Sequence, residues 1–181
     1  VATILSAQCT DERVNKVTPA LFSRLKSADD YATVSPTELE KLIHSTGFYR
    51  NKSKNIKGMA RMLLDKHGGE VPSEMDQLLE LPGVARKTAN VVLGVVFKRA
   101  VGVVVDTHVG RLSKRLGFSK QDSPVKIEQD LMRQVPQTDW IWLSHALISH
   151  GRAVCKAISP RCPECPVRHL CPNPPAIRSL A

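Results

Sequence analysis

The chain has 181 residues, of which 42% are hydrophobic, so it can bury a substantial core and is not disordered throughout. Its 26 lysine and arginine residues outnumber the 17 aspartate and glutamate residues, and the formal net charge of +9 favours polyanionic partners. The longest apolar stretch, residues 91–105, is interrupted by Lys98 and Arg99, which excludes a membrane-spanning helix. The first residues carry neither an initiator methionine nor a basic segment and do not predict a signal peptide.

Helical patterns begin near the start of the chain. Apolar residues at three- and four-residue intervals predict a helix over residues 14–25, with Pro19 in its first turns. Residues 35–38 read Ser-Pro-Thr-Glu, a capping box with proline at the first helical position, and predict a helix that stops at Gly47. The most regular amphipathic pattern covers residues 51–67 and ends at a Gly-Gly pair.

The second half of the chain continues in the same way. A short helix from Ser73 ends at residues 81–83, where a tight turn leads into a further helix. Residues 101–105 read Val-Gly-Val-Val-Val and suit a buried strand, but no second β-like run pairs with them, so we interpret them as a buried connection. Helices follow from Asp106 and from the Ser-Pro cap at residues 123–124. The predicted fold class is all-α.

Four of the five cysteines are clustered. Cys155, Cys162, Cys165 and Cys171 have the spacing C-x6-C-x2-C-x5-C, and such thiolates suit either tetrahedral zinc or a four-iron cubane cluster. Zinc ribbons use two C-x2-C pairs, whereas only the central pair has that spacing here, which favours the cluster. Cys9 stands alone and is interpreted as a small buried hydrophobe. The odd number and the clustering indicate reduced thiols in an intracellular protein.

The helix end, turn and new helix at residues 81–90 offer a grip for phosphate. The first amides of the new helix have no intrahelical partner, and Gly83 lets a phosphate approach them. Lys87 lies in the first turns of that helix, where the helix dipole and partial burial disfavour the charged form of its amine. A free amine forms a Schiff base with an aldehyde-like carbon, so Lys87 is a candidate nucleophile as well as a surface lysine that contacts phosphate.

Two roles are open to Asp106, which ends an apolar run and precedes a helix. It is a helix cap by position, and it is also a candidate for stabilising positive charge on a substrate or assisting proton transfer. His108 is interpreted as a partly buried histidine. Basic side chains that are either solvated or bound to phosphate are Arg50, Lys52, Lys54, Lys57, Arg111, Lys114 and Arg115.

Together these residues resemble the helix-hairpin-helix DNA glycosylase superfamily, and within it the endonuclease III family of bifunctional base-excision repair enzymes. The resemblance extends from residues 5–8, which read Leu-Ser-Ala-Gln, through the hairpin to the cysteines, whose spacing is that of the family's 4Fe-4S loop. It implies a six-helix barrel domain over residues 1–100, with the helix-hairpin-helix at about residues 71–97, and an iron-sulfur cluster domain over residues 101–181. A segment upstream of the first residue is expected to complete the second domain.

The resemblance also implies an activity. A DNA glycosylase and AP lyase removes oxidised pyrimidines from double-stranded DNA, or acts at abasic sites, after the damaged base is flipped out of the stack. Lys87 attacks the sugar C1′ and forms a Schiff base, β-elimination follows, and Asp106 on the opposite wall of a cleft stabilises the cationic sugar or activates Lys87. The four cysteines hold a structural 4Fe-4S cluster.

The same resemblance implies a set of DNA contacts. Gln8 fills the gap left by the flipped base, Phe48 wedges into the opposite strand, and the cluster orders a basic loop between its first two cysteines. The residues expected to bind DNA are Gln8, Phe48, Arg50, Asn51, Lys52, Gly83, Ala85, Arg86, His108, Lys156 and Arg161.

Two residues depart from the family pattern. The hairpin usually reads Pro-Gly-Val-Gly, and Ala85 replaces its second glycine, which adds a methyl group near the phosphate path. Phe48 replaces an aliphatic wedge residue, often leucine, and offers a larger stacking surface. We expect a weaker or displaced phosphate grip and a different lesion preference.

Two alternative functions fit parts of the pattern. The adenine-specific mismatch glycosylase branch shares the barrel and the cluster, but it lacks the hairpin-end lysine and adds a long carboxy-terminal domain. This chain has Lys87 and stops soon after Cys171. A non-catalytic DNA-binding module would hold zinc and use Lys87 only for phosphate. We also expect a monomer without membrane association, cytoplasmic or nucleoid-associated if the source is bacterial.

Overall fold

The structure is a computed structural model that describes residues 1–172. Within that range every regular element is a helix and no strand occurs, which confirms the predicted all-α fold class. The chain folds into two compact units, Val1–Leu93 and Gly94–Ala181. The division after Leu93 lies near the expected domain boundary at residue 100. No helix among the described residues is long and apolar enough to cross a membrane.

Side-chain caps begin several helices of the first unit. Thr10 accepts a hydrogen bond from the amide of Arg13, and Ser27 forms a complete capping box with Asp30. These helices are α1 (Ala2–Leu5), α2 (Asp11–Arg24), α3 (Ala28–Thr33), α4 (Pro36–Ile43), α5 (Tyr49–His67), α6 (Met75–Glu80) and α7 (Arg86–Val95), the last of which continues into the second unit.

The first unit is built around α5. This helix lies against α1, α3 and α4, and its buried face carries Ile56, Met59, Ala60 and Leu63. Gly68 ends it in the left-handed conformation with φ of 60°, as the Gly-Gly pair predicts. The predicted amphipathic helix over residues 51–67 is therefore confirmed, with an extra half-turn at its start.

Two local predictions for this unit are wrong in detail. Pro19 lies inside α2 rather than in its first turns, because the Thr10 cap starts the helix at Asp11. The capping box expected at residues 35–38 is half formed, since Ser35 Oγ accepts from the Glu38 amide at 3.2 Å while the Glu38 carboxylate pairs with Arg24. That carboxylate ties α4 to α2 instead of closing the cap.

The second unit has its own apolar core. Residues 101–105 form no strand, and they bury Val103 and Val105 in this core, so the interpretation as a buried connection is confirmed. The amide of Val104 donates to Ser144 Oγ at 3.1 Å, which fixes the connection to a helix. The helices of the described part are α8 (Thr107–Arg115), α9 (Pro124–Gln134) and α10 (Trp140–Ala153), followed by 3-10 turns at Cys162–Glu164 and Arg168–Leu170.

Candidate functional site

The hairpin between α6 and α7 depends on Gly83. This residue has φ of 78°, which L side chains rarely adopt, and a Cβ placed on it would lie 2.9 Å from Cβ of Asn55 on α5. The turn therefore lies directly against α5, and only glycine fits it. Ala85 is exposed just before α7 begins at Arg86. The first amides of α7 follow this turn, as the phosphate-grip pattern predicts.

Lys87 is the second residue of α7 and its side chain is exposed. The partial burial of Lys87 expected from the sequence is therefore not observed. The amine therefore stands in solvent at the amino-terminal end of a helix, where the helix dipole acts on it. An exposed amine in this position is accessible to a substrate.

Asp106 caps α8. Its backbone is extended, and its Oδ1 accepts a hydrogen bond from the amide of Val109 at 2.8 Å. The cap predicted from its position is thus confirmed. The bond engages one oxygen of the partly buried carboxyl group at the start of α8.

His108, the second residue of α8, contacts Arg111 of the same helix. Its Nδ1 lies 3.1 Å from Nη2 of Arg111, and that guanidinium also donates to the carbonyls of Gly151 and Cys155 at 3.1 and 3.0 Å. A Cβ at Gly151 would lie 3.0 Å from His108 Nδ1, so glycine makes room for this network. His108 is partly buried, as interpreted, and Arg111 is used inside the protein rather than presented as a solvated basic face.

Gln8 and Phe48 share an uncommon backbone conformation. Their φ values are 51° and 48°, both left-handed, and neither residue is glycine. Gln8 is exposed, and 64% of Phe48 is accessible although it is a large apolar residue. Exposed residues held in sparsely populated backbone conformations are typical of functional loops. Next to Phe48, Arg50 and Asn51 are also exposed.

Lys52 is buried in the first unit. The prediction that it binds DNA is wrong for this structure, because only 4% of the residue is exposed and its Nζ donates to the carbonyls of Leu5 and Thr46, both at 2.8 Å. Lys57 is buried similarly and donates to the carbonyls of Ala32 and Val34. The signal was present in the sequence, since Lys52 falls four residues before Ile56 on the apolar face of α5.

The four clustered cysteines line one cavity of the second unit. All four are partly buried. Among residues 1–172, no three His, Cys, Asp or Glu side chains converge closely enough to hold a single metal ion. A lone zinc needs its four ligands on one atom, whereas a cubane cluster takes one thiolate on each iron. Four soft thiols arranged around a cavity fit the cluster.

Arg115, at the end of α8, lines this cavity and binds the chain around Cys155. Its Nη1 lies 3.3 Å from Sγ of Cys155 and donates to the carbonyl of Lys156 at 2.7 Å, and its Nη2 donates to the carbonyl of Ala157 at 3.0 Å. Sequence reasoning treated Arg115 as a surface cation and missed this role, which depends on contacts about 40 residues away. Lys156 and Arg161 on the loop that follows Cys155 are exposed.

Comparison with known families decides the membership of the chain. The family described as "HhH-GPD superfamily base excision DNA repair protein" matches residues 1–137, and the "Iron-sulfur binding domain of endonuclease III" matches residues 155–171. Endonuclease III of Synechocystis sp. is 60% identical over 173 residues, which cover 96% of this chain and 79% of that protein. Endonuclease III of Bacillus subtilis is 52% identical over 94% of this chain and 78% of its own length. The chain belongs to the endonuclease III family.

Solved structures agree with this assignment to the endonuclease III family. A non-covalent endonuclease III-DNA complex superposes with a TM-score of 0.89 at 50% identity, and covers 94% of this chain and 80% of that chain. A trapped endonuclease III-DNA covalent intermediate gives a TM-score of 0.90 at 51% identity with the same coverage. The chain is accordingly a DNA glycosylase and AP lyase of base-excision repair. Its cofactor is a 4Fe-4S cluster.

Proposed function

We propose that this endonuclease III homologue excises oxidised pyrimidines from double-stranded DNA with Lys87 as the nucleophile. The observation that carries the proposal is the exposed amine of Lys87 in the first turn of α7, directly after the Gly83 turn. A phosphate held by the amides of that turn brings the DNA backbone to the same helix end as the amine. The similar structure of a trapped covalent intermediate supports nucleophilic chemistry of this kind.

The proposed reaction has two stages. The lone pair of the unprotonated Lys87 amine attacks the sugar C1′, the bond between C1′ and the base breaks, and the base leaves and takes up a proton. The amine nitrogen then forms a Schiff base with the opened sugar. Loss of a C2′ proton and cleavage of the C3′–O bond complete the β-elimination and break the strand on the 3′ side of the lesion. The same Lys87 chemistry starts directly from an abasic site.

Asp106 is proposed to act through its charge. The carboxylate is fixed in orientation by its bond to the Val109 amide, so its charge is held in place without any cost of ordering during the reaction. A fixed negative charge stabilises the cationic sugar that develops as the base departs, or accepts a proton from the attacking amine. The helix cap thus holds the catalytic group.

The proposed DNA contacts comprise the hairpin and further side chains along the chain. The amides and side chains around the Gly83 turn grip phosphate, Gln8 occupies the gap left by the flipped base, and Phe48 wedges into the opposite strand. Lys52 is removed from this set because it is buried. The remaining proposed contacts are Gln8, Phe48, Arg50, Asn51, Gly83, Ala85, Arg86, His108, Lys156 and Arg161.

Cys155, Cys162, Cys165 and Cys171 are proposed to hold the cluster. When bound, a 4Fe-4S cluster links these four thiolates and orders the chain between them. The cysteines thereby fix the loop that carries Lys156 and Arg161. We propose that the first unit is the six-helix barrel and that the second unit is the iron-sulfur cluster domain. We also propose that the protein is a monomer. It acts on bacterial DNA in the cytoplasm or nucleoid.

Borohydride trapping tests the proposal. An abasic-site duplex incubated with the protein and sodium borohydride should give a stable protein-DNA adduct, because the reductant converts the Schiff base into an amine. Lys87→Gln should give no adduct, and Lys41→Gln, which changes an exposed lysine of α4, should trap as the wild type does. Equal trapping by Lys87→Gln would show that Lys87 is not the nucleophile.

The same preparation distinguishes the substrate classes. Wild-type protein should cleave a duplex with one oxidised pyrimidine and leave a duplex with an adenine-guanine mismatch intact. Release of adenine only from the mismatched duplex, detected as strand breaks after alkali treatment, would favour the adenine-specific branch. Binding without base release from either duplex would favour a non-catalytic module.

A further inference from the structure

Lys52 connects two loops that are far apart in sequence. Its side chain is buried in α5, and its Nζ donates to the carbonyls of Leu5 and Thr46, both at 2.8 Å. Its backbone amide donates to the carbonyl of Phe48 at 3.0 Å. One residue therefore holds the end of α1 and the segment that leads into α5.

The two loops lead to the proposed DNA-inserting residues. Gln8 follows Leu5 by three positions, and Phe48 follows Thr46 by two. Both have left-handed backbones, a conformation that persists only where the surrounding structure holds it. The carbonyls that accept from Lys52 belong to residues that are almost fully buried, whereas Gln8 and Phe48 are exposed.

We propose that Lys52 is a positioning residue that couples Gln8 and Phe48, so that the two side chains enter the DNA together. This inference rests on the proposed roles of Gln8 and Phe48. A buried ammonium with carbonyl acceptors at Leu5 and Thr46 fixes the separation of the two segments through charge-assisted hydrogen bonds. Residues ordered before binding enter the duplex without an added ordering cost, which makes base flipping easier.

Burial lowers the pKa of Lys52, which shows that the charged form is held at a desolvation cost. Lys57 is a natural comparison. It lies on the same helix, is also buried, and donates to the carbonyls of Ala32 and Val34, two residues apart at the end of α3. Within the described part of the chain its hydrogen bonds go to Ala32 and Val34 and not to the segments that carry Gln8 and Phe48. Substitution of Lys57 therefore measures the effect of losing a buried ammonium while the coupling between Gln8 and Phe48 is kept.

The test compares Lys52→Met with Lys57→Met in the cluster-containing protein. For each variant, kcat/KM is measured on a duplex with a paired oxidised pyrimidine and on an abasic-site duplex, where no base has to be unpaired. Their ratio is independent of the fraction of folded protein. We expect Lys52→Met to lower this ratio about fivefold to tenfold, within the range of coupling between contacting residues, and Lys57→Met to leave it unchanged. Lys52→Arg, which keeps a cationic donor, should restore most of it.

A double-mutant cycle measures the coupling between Gln8 and Phe48. Gln8→Ala and Phe48→Ala should act non-additively on the ratio in the wild-type background and additively in the Lys52→Met background. An unchanged ratio in Lys52→Met, an equal fall in Lys57→Met, or coupling that persists without Lys52 would overturn the inference. If Gln8→Ala and Phe48→Ala leave excision by the otherwise wild-type protein unaltered, the proposed DNA contacts are wrong and the inference fails with them. Absence of borohydride trapping with wild-type protein would instead contradict the assignment of Lys87 as the nucleophile.

Discussion

Oδ1 of Asp106 accepts a hydrogen bond from the amide of Val109 at 2.8 Å, so the proposed catalytic carboxylate is also the cap of α8. The two roles respond differently to substitution. Asparagine caps helices about as well as aspartate, but it carries no charge. Asp106→Asn should therefore keep the melting temperature and lower the single-turnover excision rate at least tenfold, as expected when a preorganised charge is lost.

Asp106→Ala completes this comparison. It removes both cap and charge, so it should lose about 1 kcal/mol of stability as well as activity, measured by urea unfolding beside the rate. Full activity in Asp106→Asn would mean that Asp106 is a cap and nothing more.

The hairpin turn predicts a second outcome. Gly83→Ala places a methyl group 2.9 Å from Cβ of Asn55 at a φ of 78°, and the left-handed conformation alone costs an L residue about 1–2 kcal/mol. The turn must shift away from α5, which misdirects the amides at the start of α7. DNA binding measured by fluorescence anisotropy should weaken by a similar factor for damaged and undamaged duplexes, because phosphate contacts do not read sequence.

Ala85→Gly serves as the control for the hairpin. Ala85 is exposed, and the change restores the glycine that is usual at this position in the family. The affinity should be unchanged or higher. An unaffected affinity in Gly83→Ala would argue against a phosphate grip at this turn.

The sequence predicts those parts of the fold whose causes are local. The Gly-Gly stop after α5, the Asp106 cap and the buried run at residues 101–105 each depend on a few neighbouring residues, and all are confirmed. The Glu38 carboxylate was predicted to close a local cap, but it pairs with Arg24 on another helix. A tertiary partner competes with the local one, and a pattern of adjacent residues does not contain that partner.

The candidate site follows the same division. Motif spacing located the hairpin and the cysteines, which lie together on short stretches of chain. From the sequence, Lys52 and Arg115 belong to basic runs that are predicted to be solvated or to contact phosphate. Each of them donates to a carbonyl some 40 or more residues away, Leu5 for Lys52 and Lys156 for Arg115. For Lys52 the position on the apolar face of α5 indicates burial, although lysine is usually exposed.

The cysteine cavity leads to a prediction on metal content. Purified protein should contain about four irons per chain and show broad visible absorbance. Cys162→Ser removes one of the four thiols around the cavity and should lose iron and lower the melting temperature, because the chain between the cysteines is no longer linked. Cys9→Ser, outside the cavity, should keep the wild-type iron content. A colourless protein with one zinc per chain would contradict the cluster assignment.

Tyr31 on α3 predicts how stability depends on alkaline pH. Burial raises the pKa of its phenol from 10.0 to about 12, and the neighbouring Asp30 charge acts in the same direction. Above pH 10 the unfolded chain loses this proton while the folded chain keeps it, so the contribution is complete below pH 10 and falls as the pH rises toward 12. At pH 11 the loss should be about 1 kcal/mol relative to pH 9, measured by urea unfolding of the wild type against Tyr31→Phe. Among the described residues the Tyr31 hydroxyl has no hydrogen-bond partner, so Tyr31→Phe should be at least as stable as the wild type at pH 7. Identical pH profiles for the two proteins would show that Tyr31 ionises as freely in the folded chain as in the unfolded one.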